Sequence, residues 1–307
     1  MRKRARFRAA VLAVAVAPWL AAAPTKPEDQ AIVVVTTSAV EAFDEATEGI
    51  RRALGSTAKL VVVDLASNPG NLGAQLNGKE VRLLISVGTN GLEAAARWGT
   101  APVLATMVLE SDLKSPRPRA PAGAVVLDLA LGEVLTGLSK IFPGKARAGM
   151  LRNPDTAEAS LSTLLSEAKA AGINLKVVDC PRPEKLLQAF RSLQGLVDFV
   201  WCPPDGTLYN GTTVKPLVLA SLESQLPIAG FSASFVRAGA AAGVYPDYLE
   251  MGMQTGEMAR KYLAAAGPIG IETPRKIRVA ANTRGARLLG LRLAQKAEPE
   301  LGIVVLQ

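Results

Sequence analysis

Short apolar runs recur along the chain at a spacing that leaves room for a helix between most of them. In the first part of the chain the runs are continuous rather than alternating, which is typical of strands buried on both faces of a parallel sheet. These runs cover residues 31–36, 60–65, 81–87 and 102–108. The pattern therefore predicts a parallel sheet whose strands are joined by helices.

The segments between the runs repeat apolar residues at helical spacing. The clearest example has its apolar residues at Val40, Phe43, Ala46, Ile50 and Leu54, and Gly55 follows the last of them. Two polar pairs stand at the spacing of a capping box and predict the starts of two helices. The pairs are Ser38 with Glu41, and Asn90 with Glu93.

The same alternation begins again after a proline-rich, polar segment at residues 110–123, which the composition marks as a loop or a crossing between two lobes. Predicted strands in this second half cover residues 146–151, 175–178, 197–201, 228–231 and 241–245. Predicted helices begin at Asn153–Pro154 and cover residues 183–193 and 214–225.

Two copies of one layout predict an α/β protein with two doubly wound parallel-sheet lobes, a hinge and a central ligand cleft. The first lobe is expected at residues 28–125 and the second at residues 126–245. Ligands in open α/β sheets bind beyond the carboxyl ends of the strands, so the cleft is where a small molecule is expected.

Residues 1–23 have the character of a secretory signal peptide. Five basic residues precede a short apolar run, and small residues follow it. The run is short for a bilayer span, although an uncleaved signal anchor is the alternative. Without this segment the formal net charge falls from +8 to +3, and no basic stripe remains that would indicate nucleic-acid binding. The mature chain is expected to begin between about residues 21 and 28. The protein is expected to be located outside the cytoplasm.

Cys180 and Cys202 are the two cysteines of the chain, and each follows a predicted strand. If those strands flank a common neighbour, the thiols lie roughly 9–10 Å apart, which exceeds disulfide reach. Two free thiols are therefore expected rather than a bridge.

Familiar catalytic patterns are missing from the sequence. The chain has no histidine, which removes the commonest general base and the commonest metal ligand. It also lacks a phosphate-binding loop, a dinucleotide fingerprint and a nucleophile elbow. We expect neither catalysis nor a metal or cofactor, and an envelope enzyme is the least favoured class.

Small polar residues at predicted strand ends are the candidates for ligand contact, because hydroxyls, amides and a carboxylate suit a polar or zwitterionic solute. They are Ser38, Thr89, Asn90, Asn153, Asp205, Thr207, Ser232 and Tyr245. Ser38, Asn90 and Asn153 are equally explained as helix caps. Asp205 serves either the ligand or its own turn.

Residues 230–263 resemble a block of the tryptophan/tyrosine-type ABC transporter substrate-binding proteins. The similarity is strongest over residues 236–263, with the segment Tyr-Leu-Glu-Met-Gly-Met-Gln-Thr-Gly at its centre. Residues 84–95, the Cys-Pro-Pro-Asp-Gly-Thr loop at residues 202–207 and residues 277–289 are similar to further segments of that family.

The resemblance implies a type I periplasmic binding fold in which residues 246–270 complete the first lobe and residues 271–307 the second. It implies a small ligand, often an aromatic amino acid, that is passed to a membrane permease. Thr89 and Asn90 would face the ligand from the first lobe, and Asp205 and Thr207 from the second. Pro204 and Gly206 depart from the polar residues of the family's loop, so the amino-acid ligand does not transfer directly.

These features together predict an exported, monomeric solute-binding protein that serves an ABC permease. The alternative is a ligand-sensing module with the same cleft that docks on a membrane signalling receptor.

Overall fold

The computed structural model describes residues 31–37, 40–56, 58–67, 71–156, 160–265, 267–291 and 303–306. The predicted signal peptide and Ser38 lie outside the described residues.

The strands form where the apolar runs predict them, with further strands near both ends of the second half. In chain order they are β1 (Ala31–Thr36), β2 (Leu60–Asp64), β3 (Val81–Val87), β4 (Val103–Val108), β5 (Gly123–Val126), β6 (Arg147–Arg152), β7 (Asn174–Asp179), β8 (Phe199–Trp201), β9 (Ile228–Gly230), β10 (Ala242–Pro246), β11 (Gly270–Glu272), β12 (Ile277–Asn282) and β13 (Ile303–Leu306).

Helices occupy most of the connections. They are α1 (Glu41–Leu54), α2 (Leu72–Gln75), α3 (Thr89–Trp98), α4 (Glu110–Lys114), α5 (Leu131–Ile141), α6 (Leu161–Ala170), α7 (Leu186–Arg191), α8 (Val214–Glu223), α9 (Ala233–Arg237), α10 (Tyr248–Ala265) and α11 (Thr283–Leu288). A short 3-10 helix, Pro183–Lys185, leads into α7.

The strands assemble into two sheets, one in each lobe. The first has the order β11-β5-β4-β3-β1-β2 and the second β13-β12-β10-β9-β8-β6-β7. Every described pairing in the first sheet is parallel. In the second sheet β12 pairs antiparallel with β10, while the other described pairings are parallel. The two-lobed α/β architecture with parallel-dominated sheets, predicted from the alternation of strands and helices, is confirmed.

Three connections carry the chain between the sheets. They lie at residues 127–130 between β5 and α5, at Asp247 between β10 and α10, and at residues 273–276 between β11 and β12. The proline-rich segment at residues 110–123 instead joins β4 to β5, which are neighbours in the first sheet. The interpretation as a crossing between lobes is therefore wrong, and the interpretation as a loop holds only after the short helix α4 (Glu110–Lys114).

The first lobe is covered by a helix pair that packs unusually closely. A Cβ on Gly49 would overlap the Leu249 carbonyl, and one on Gly252 would overlap the Ala46 carbonyl. A Cβ on Gly256 would lie 2.6 Å from the Ala53 Cβ. Glycine at these positions lets α1 and α10 approach backbone to backbone, which fixes α10 on the first lobe although the chain reaches it from the second.

The second lobe relies more on large side chains. Phe142 and Phe199 stack in its core with ring centroids 4.8 Å apart, an arrangement favoured for aromatic pairs. β7 and β8 flank β6, as the argument about the cysteines assumed, and Cys180 and Cys202 are both free and buried.

Two predicted helix starts are wrong. The α3 cap is Gly88, so Asn90 lies inside the first turn and does not cap the helix. The α6 helix starts at Leu161 with Ser160 as its cap, because the Ser160 hydroxyl accepts a hydrogen bond from the Thr163 amide at 3.1 Å. Asn153–Pro154 instead begins a turn. The first residue of α1 is preceded by Val40, whose side chain offers no cap.

Among the described helices, none combines the length and the apolar character needed to cross a bilayer.

Candidate functional site

A cavity of about 710 Å³ lies between the two lobes. Its walls are the segments that follow the carboxyl ends of β4, β5, β6, β8, β9 and β10. This is the edge at which open parallel sheets bind ligands, and the volume falls in the range of small-molecule sites.

The first-lobe wall is short and bent. Met107 has a positive φ of 59° and sits where the register of β4 against β5 shifts between Thr106 and Val108. A left-handed backbone is costly for a side chain such as methionine, and residues of this kind concentrate at binding sites. The bulge brings Met107, Leu109 and Asp112 to the cavity.

Hydrogen bonds fix Asp112 in this wall. One carboxylate oxygen, Oδ2, accepts from the Thr89 hydroxyl at 2.8 Å and from the Leu109 amide at 2.9 Å. Behind it the buried guanidinium of Arg117 donates to the Asp112 carbonyl at 2.6 Å and pairs with Glu93 at 3.2 Å. The negative charge of Asp112 is therefore held at the cavity by a rigid frame.

Asp205 shapes the loop that follows β8. Its Oδ1 accepts from the amides of Thr207 and Leu208, both at 2.8 Å, and its Oδ2 accepts from the Thr156 hydroxyl at 2.5 Å. The first two bonds form an Asx-type turn. The third connects the loop to the turn after β6. The turn interpretation of Asp205 is therefore confirmed, while contact with a ligand stays a prediction for a residue that is only 7% exposed and lines the cavity.

The end of β6 contributes two polar residues. Asn153 is buried and its side-chain oxygen accepts from the Asp155 amide at 3.0 Å. Arg152 is the one cation among the residues that line the described cavity, and it is paired with Asp179 at 2.9 Å.

Aromatic rings form much of the second-lobe wall. Trp201, Tyr209 and Phe231 line the cavity, and Tyr248 joins them from the start of α10. Tyr209 lies 5.9 Å from Phe231 by ring centroids, and its hydroxyl donates to the Leu151 carbonyl at 3.1 Å. Burial raises the pKa of Tyr209 well above its ordinary value and also raises the pKa of Tyr248, so both rings stay neutral.

Two side chains of the cavity wall have a polar or charged group without a hydrogen-bond or ion-pair partner among the described residues. Trp201 is 6% exposed, and its indole N–H has no hydrogen-bond partner in the described structure. Glu167 belongs to α6 and lines the cavity. Its carboxylate forms no ion pair or side-chain hydrogen bond with a described residue. A ligand that occupies the cavity would meet the carboxylate of Glu167.

The structure brings together half of the eight residues proposed for ligand contact. Asn153, Asp205, Thr207 and Ser232 line the cavity. Thr89 reaches it only through Asp112, and Asn90 lies on the exposed first turn of α3. Tyr245 is buried behind the cavity, where its ring stacks on Tyr248 with centroids 5.6 Å apart.

The candidates named from the sequence omitted four residues of the cavity wall: Asp112, Glu167, Trp201 and Phe231. Trp201 carried the best available signal, because it ends an apolar run just before the Asp205 loop. Asp112 and Glu167 look like ordinary polar residues of a loop and a helix. In the part of the chain that the structure describes, no group of three or more acidic or cysteine side chains is placed to hold a metal ion.

Comparisons with known proteins agree with this architecture. The structure is similar to an ABC domain from Streptococcus pneumonia in complex with L-Trp, with 19% identity, 90% of this chain and 100% of that chain covered, and a TM-score of 0.62. It is also similar to the ligand-free, open structure of a substrate binding protein with adhesive properties from Clostridium difficile, at 18% identity, 91% and 99% coverage and a TM-score of 0.66.

A third similar structure is a mutant of the XylFII–LytSN complex, at 16% identity, with 81% of this chain and 97% of that chain covered and a TM-score of 0.53. No curated protein sequence matches the chain significantly. The model of the family described as ABC transporter substrate binding protein matches residues 39–296, which is most of the chain. The chain is therefore a member of the ABC transporter substrate-binding protein family.

Proposed function

We propose that the protein captures a small polar or amino-acid-like solute between its lobes outside the cytoplasm and delivers it to an ABC permease. The observation that carries the proposal is the cavity of about 710 Å³ at the facing strand ends of the two lobes. A site of that size with an apolar wall and a few fixed polar groups suits a small molecule. Neither catalysis nor a cofactor is part of the proposal.

Lobe closure follows from the way the chain crosses between the sheets. The three connections near residues 127–130, 247 and 273–276 are short, so rotation about them moves one lobe as a body against the other. A solute that touches both walls binds the closed form better than the open form and shifts the population toward closure.

Ion pairs beside the hinge do not lock the lobes. Arg237 of α9 pairs with Glu41 of α1 at 2.8 Å, and Arg278 of β12 lies 3.4 Å from Glu45 of α1. Glu41 and Arg237 are exposed, and exposed pairs contribute about 1 kcal/mol or less. The free energy of solute binding is large enough to override such a contact.

Each wall has a separate role in the proposal. The Asp205 loop, Asn153 and Ser232 hold the polar part of the solute on the second lobe, while the aromatic rings contact its apolar part. Met107 and Asp112 close over the solute from the first lobe. Thr89 acts by holding Asp112.

The test is a measurement of binding and closure on the purified protein. Native mass spectrometry identifies any solute retained from expression, and calorimetry with that solute gives its affinity. Small-angle scattering is expected to show a smaller radius of gyration with the solute than without it. A protein that retains and binds no small molecule, and whose scattering does not respond to any, would contradict the proposal.

A ligand-sensing module is the second candidate, favoured by one observation: a protein of similar fold occurs in the XylFII–LytSN complex. Both candidates use the same cavity and closure, and they differ in the membrane partner. An uptake assay separates transport from sensing. Membrane vesicles that carry the permease encoded beside this protein should take up the solute only when the binding protein is added.

Export is part of the proposal and rests on the composition of residues 1–23. Amino-terminal sequencing of protein taken from the cell envelope is expected to begin between about residues 21 and 28. An intact Met1 on membrane-embedded protein would instead support the signal anchor.

A further inference from the structure

We infer that the solute is a small organic cation with an apolar body, such as an arylalkyl amine, and that an attached carboxylate weakens binding. This inference rests on the proposed function, because it assigns a ligand class to the same cavity. It replaces the broad class of amino-acid-like solutes by amines that lack the carboxylate of an amino acid.

The charges that line the cavity are unbalanced. Four carboxylates line it, and they are Asp112, Asp128, Glu167 and Asp205. Arg152 is the single cation among these lining residues of the described structure, and it is already paired with Asp179, which does not line the cavity. A cleft with this excess of negative charge among its lining residues favours a cation over an anion.

Four backbone amides at the strand ends beside the cavity are already occupied by the protein's own carboxylates. On the second lobe, the amides of Thr207 and Leu208 both donate to Asp205. On the first lobe, the Leu109 amide donates to Asp112, and the Glu110 amide donates to Asp128 at 2.8 Å.

Amides in the turn after a strand and at the start of the following helix are the usual receptors for an anionic group at this edge of a sheet. Here the carboxylates that occupy them keep part of their acceptor capacity, since one carboxylate has about four lone-pair sites. At these four positions both walls therefore present acceptors instead of free donors.

The apolar surface of the cavity fits the rest of such a cation. Trp201, Tyr209, Phe231 and Tyr248 offer ring faces or edges to the cavity, and ammonium groups are attracted to aromatic faces within about 6 Å. The carboxylate of Glu167, which has no ion-pair partner among the described residues, supplies a negative charge for the cation.

Three probes with the same ring separate the charge classes: tryptamine, L-tryptophan and indole-3-propionate. Calorimetry on the full chain at neutral pH and low salt is expected to rank them in that order, with tryptamine at least 10-fold tighter than L-tryptophan. Indole-3-propionate is expected to bind weakest. Tighter binding of the zwitterion or the anion would overturn the inference.

Substitutions that remove charge and keep shape test which groups carry the preference. Glu167→Gln and Asp205→Asn are each expected to weaken tryptamine about 10-fold and to leave the affinity for indole-3-propionate unchanged or stronger. Glu223→Gln is the matched control, because Glu223 is exposed on α8 and outside the cavity. A loss of tryptamine affinity in the control equal to that in the cavity variants would also overturn the inference.

The outcomes distinguish this inference from the proposed function. If the three probes do not bind, the solute retained by the purified protein decides: an anionic or zwitterionic solute that closes the lobes overturns the ligand class and leaves the function standing. If the probes fail and the purified protein is empty and does not close with any solute, both are overturned.

Discussion

The two walls of the cavity are built on different principles. The first-lobe wall is a short segment after β4, bent by the left-handed backbone of Met107 and framed by Thr89 and Arg117. The second-lobe wall collects residues from the ends of β6, β8, β9 and β10 and includes most of the aromatic surface. We call the first-lobe wall the bracket and the second-lobe wall the recognition surface.

The cores of the lobes differ in the same direction. The first sheet is parallel throughout its described pairings, and its helix pair α1–α10 is closed by glycines. The second lobe has an antiparallel pair, β10–β12, and stacked phenylalanines. Under the proposed function, this difference predicts that solute selection resides mainly in the second lobe, while the first lobe closes onto it as a body.

The largest effect is expected from Asp205→Ala in the recognition surface. This substitution removes a charge from the cavity and also releases Thr156 and the loop at residues 207–208. Affinity for a cationic or amino-acid solute should fall by about 2–5 kcal/mol, roughly 30-fold or more. Calorimetry measures it, and equal affinity in both proteins would mean that Asp205 shapes only its turn. Asp205→Asn, which keeps an acceptor at the turn, separates the charge from the loop geometry.

Gly252→Ala tests whether the first lobe depends on the close contact of α1 with α10. The added methyl would overlap the Ala46 carbonyl, so the helices must separate, and the free energy of unfolding should fall by about 1–3 kcal/mol. Urea unfolding followed by circular dichroism measures this.

The control is Gly132→Ala in α5, where a Cβ meets no atom within 4 Å. Helix propensity predicts that this change leaves stability unchanged or raises it by up to about 1 kcal/mol. Identical unfolding midpoints for the two variants would contradict the packing argument.

A smaller effect is expected from Thr89→Ala in the bracket. The substitution removes the neutral hydrogen bond that positions Asp112 and should weaken solute binding by about 1 kcal/mol. Calorimetry with the same solute provides the comparison. A loss as large as that of Asp205→Ala would show that the two walls contribute equally, and the contrast drawn here would be wrong.

The smallest expected signal is that of the thiols beside the recognition surface. Burial raises the pKa of Cys202 to about 12 and also raises the pKa of Cys180, so the native protein should not react with a thiol reagent at pH 8. Two thiols should react after denaturation without reductant. Because an unfolded thiol ionises first, stability should decline as the pH rises above about 9. A Cys180–Cys202 bridge in mass spectrometry would contradict the observed strand order.

The sheets could be predicted from the sequence because burial on both faces gives central strands such as β1 and β4 a continuous apolar run, and the edge strand β2 keeps such a run although it is only partly buried. Each of the first four strands is a continuous apolar run, and their observed bounds differ from the predicted ones by one residue at most. Helix starts were less predictable, since Asn153 and Asn90 have the composition of caps and are placed elsewhere by the surrounding turns.

Half of the candidate site could be predicted because strand ends converge in a doubly wound sheet, as Asp205 and Ser232 illustrate. The other half depends on contacts between distant segments. Asp112 lies in a proline-rich stretch, and only its bond to Thr89, 23 positions away in the chain, reveals its role. Glu167 is one of several charges on a helix, and the sequence does not indicate which of them meets the cavity.

The return of α10 and β11 to the first lobe has a consequence for the order in which the lobes are finished. When a chain emerges from a ribosome or a translocation channel with its amino end first, β1 to β5 appear early, but the helix that packs on α1 and the strand that pairs with β5 come after β10. The apolar surfaces of the first lobe that α10 and β11 cover therefore stay exposed until most of the second lobe has been synthesised. Such long-range closure slows folding. Delayed completion keeps the chain unfolded for longer, which is the state that the proposed export through a translocation channel requires.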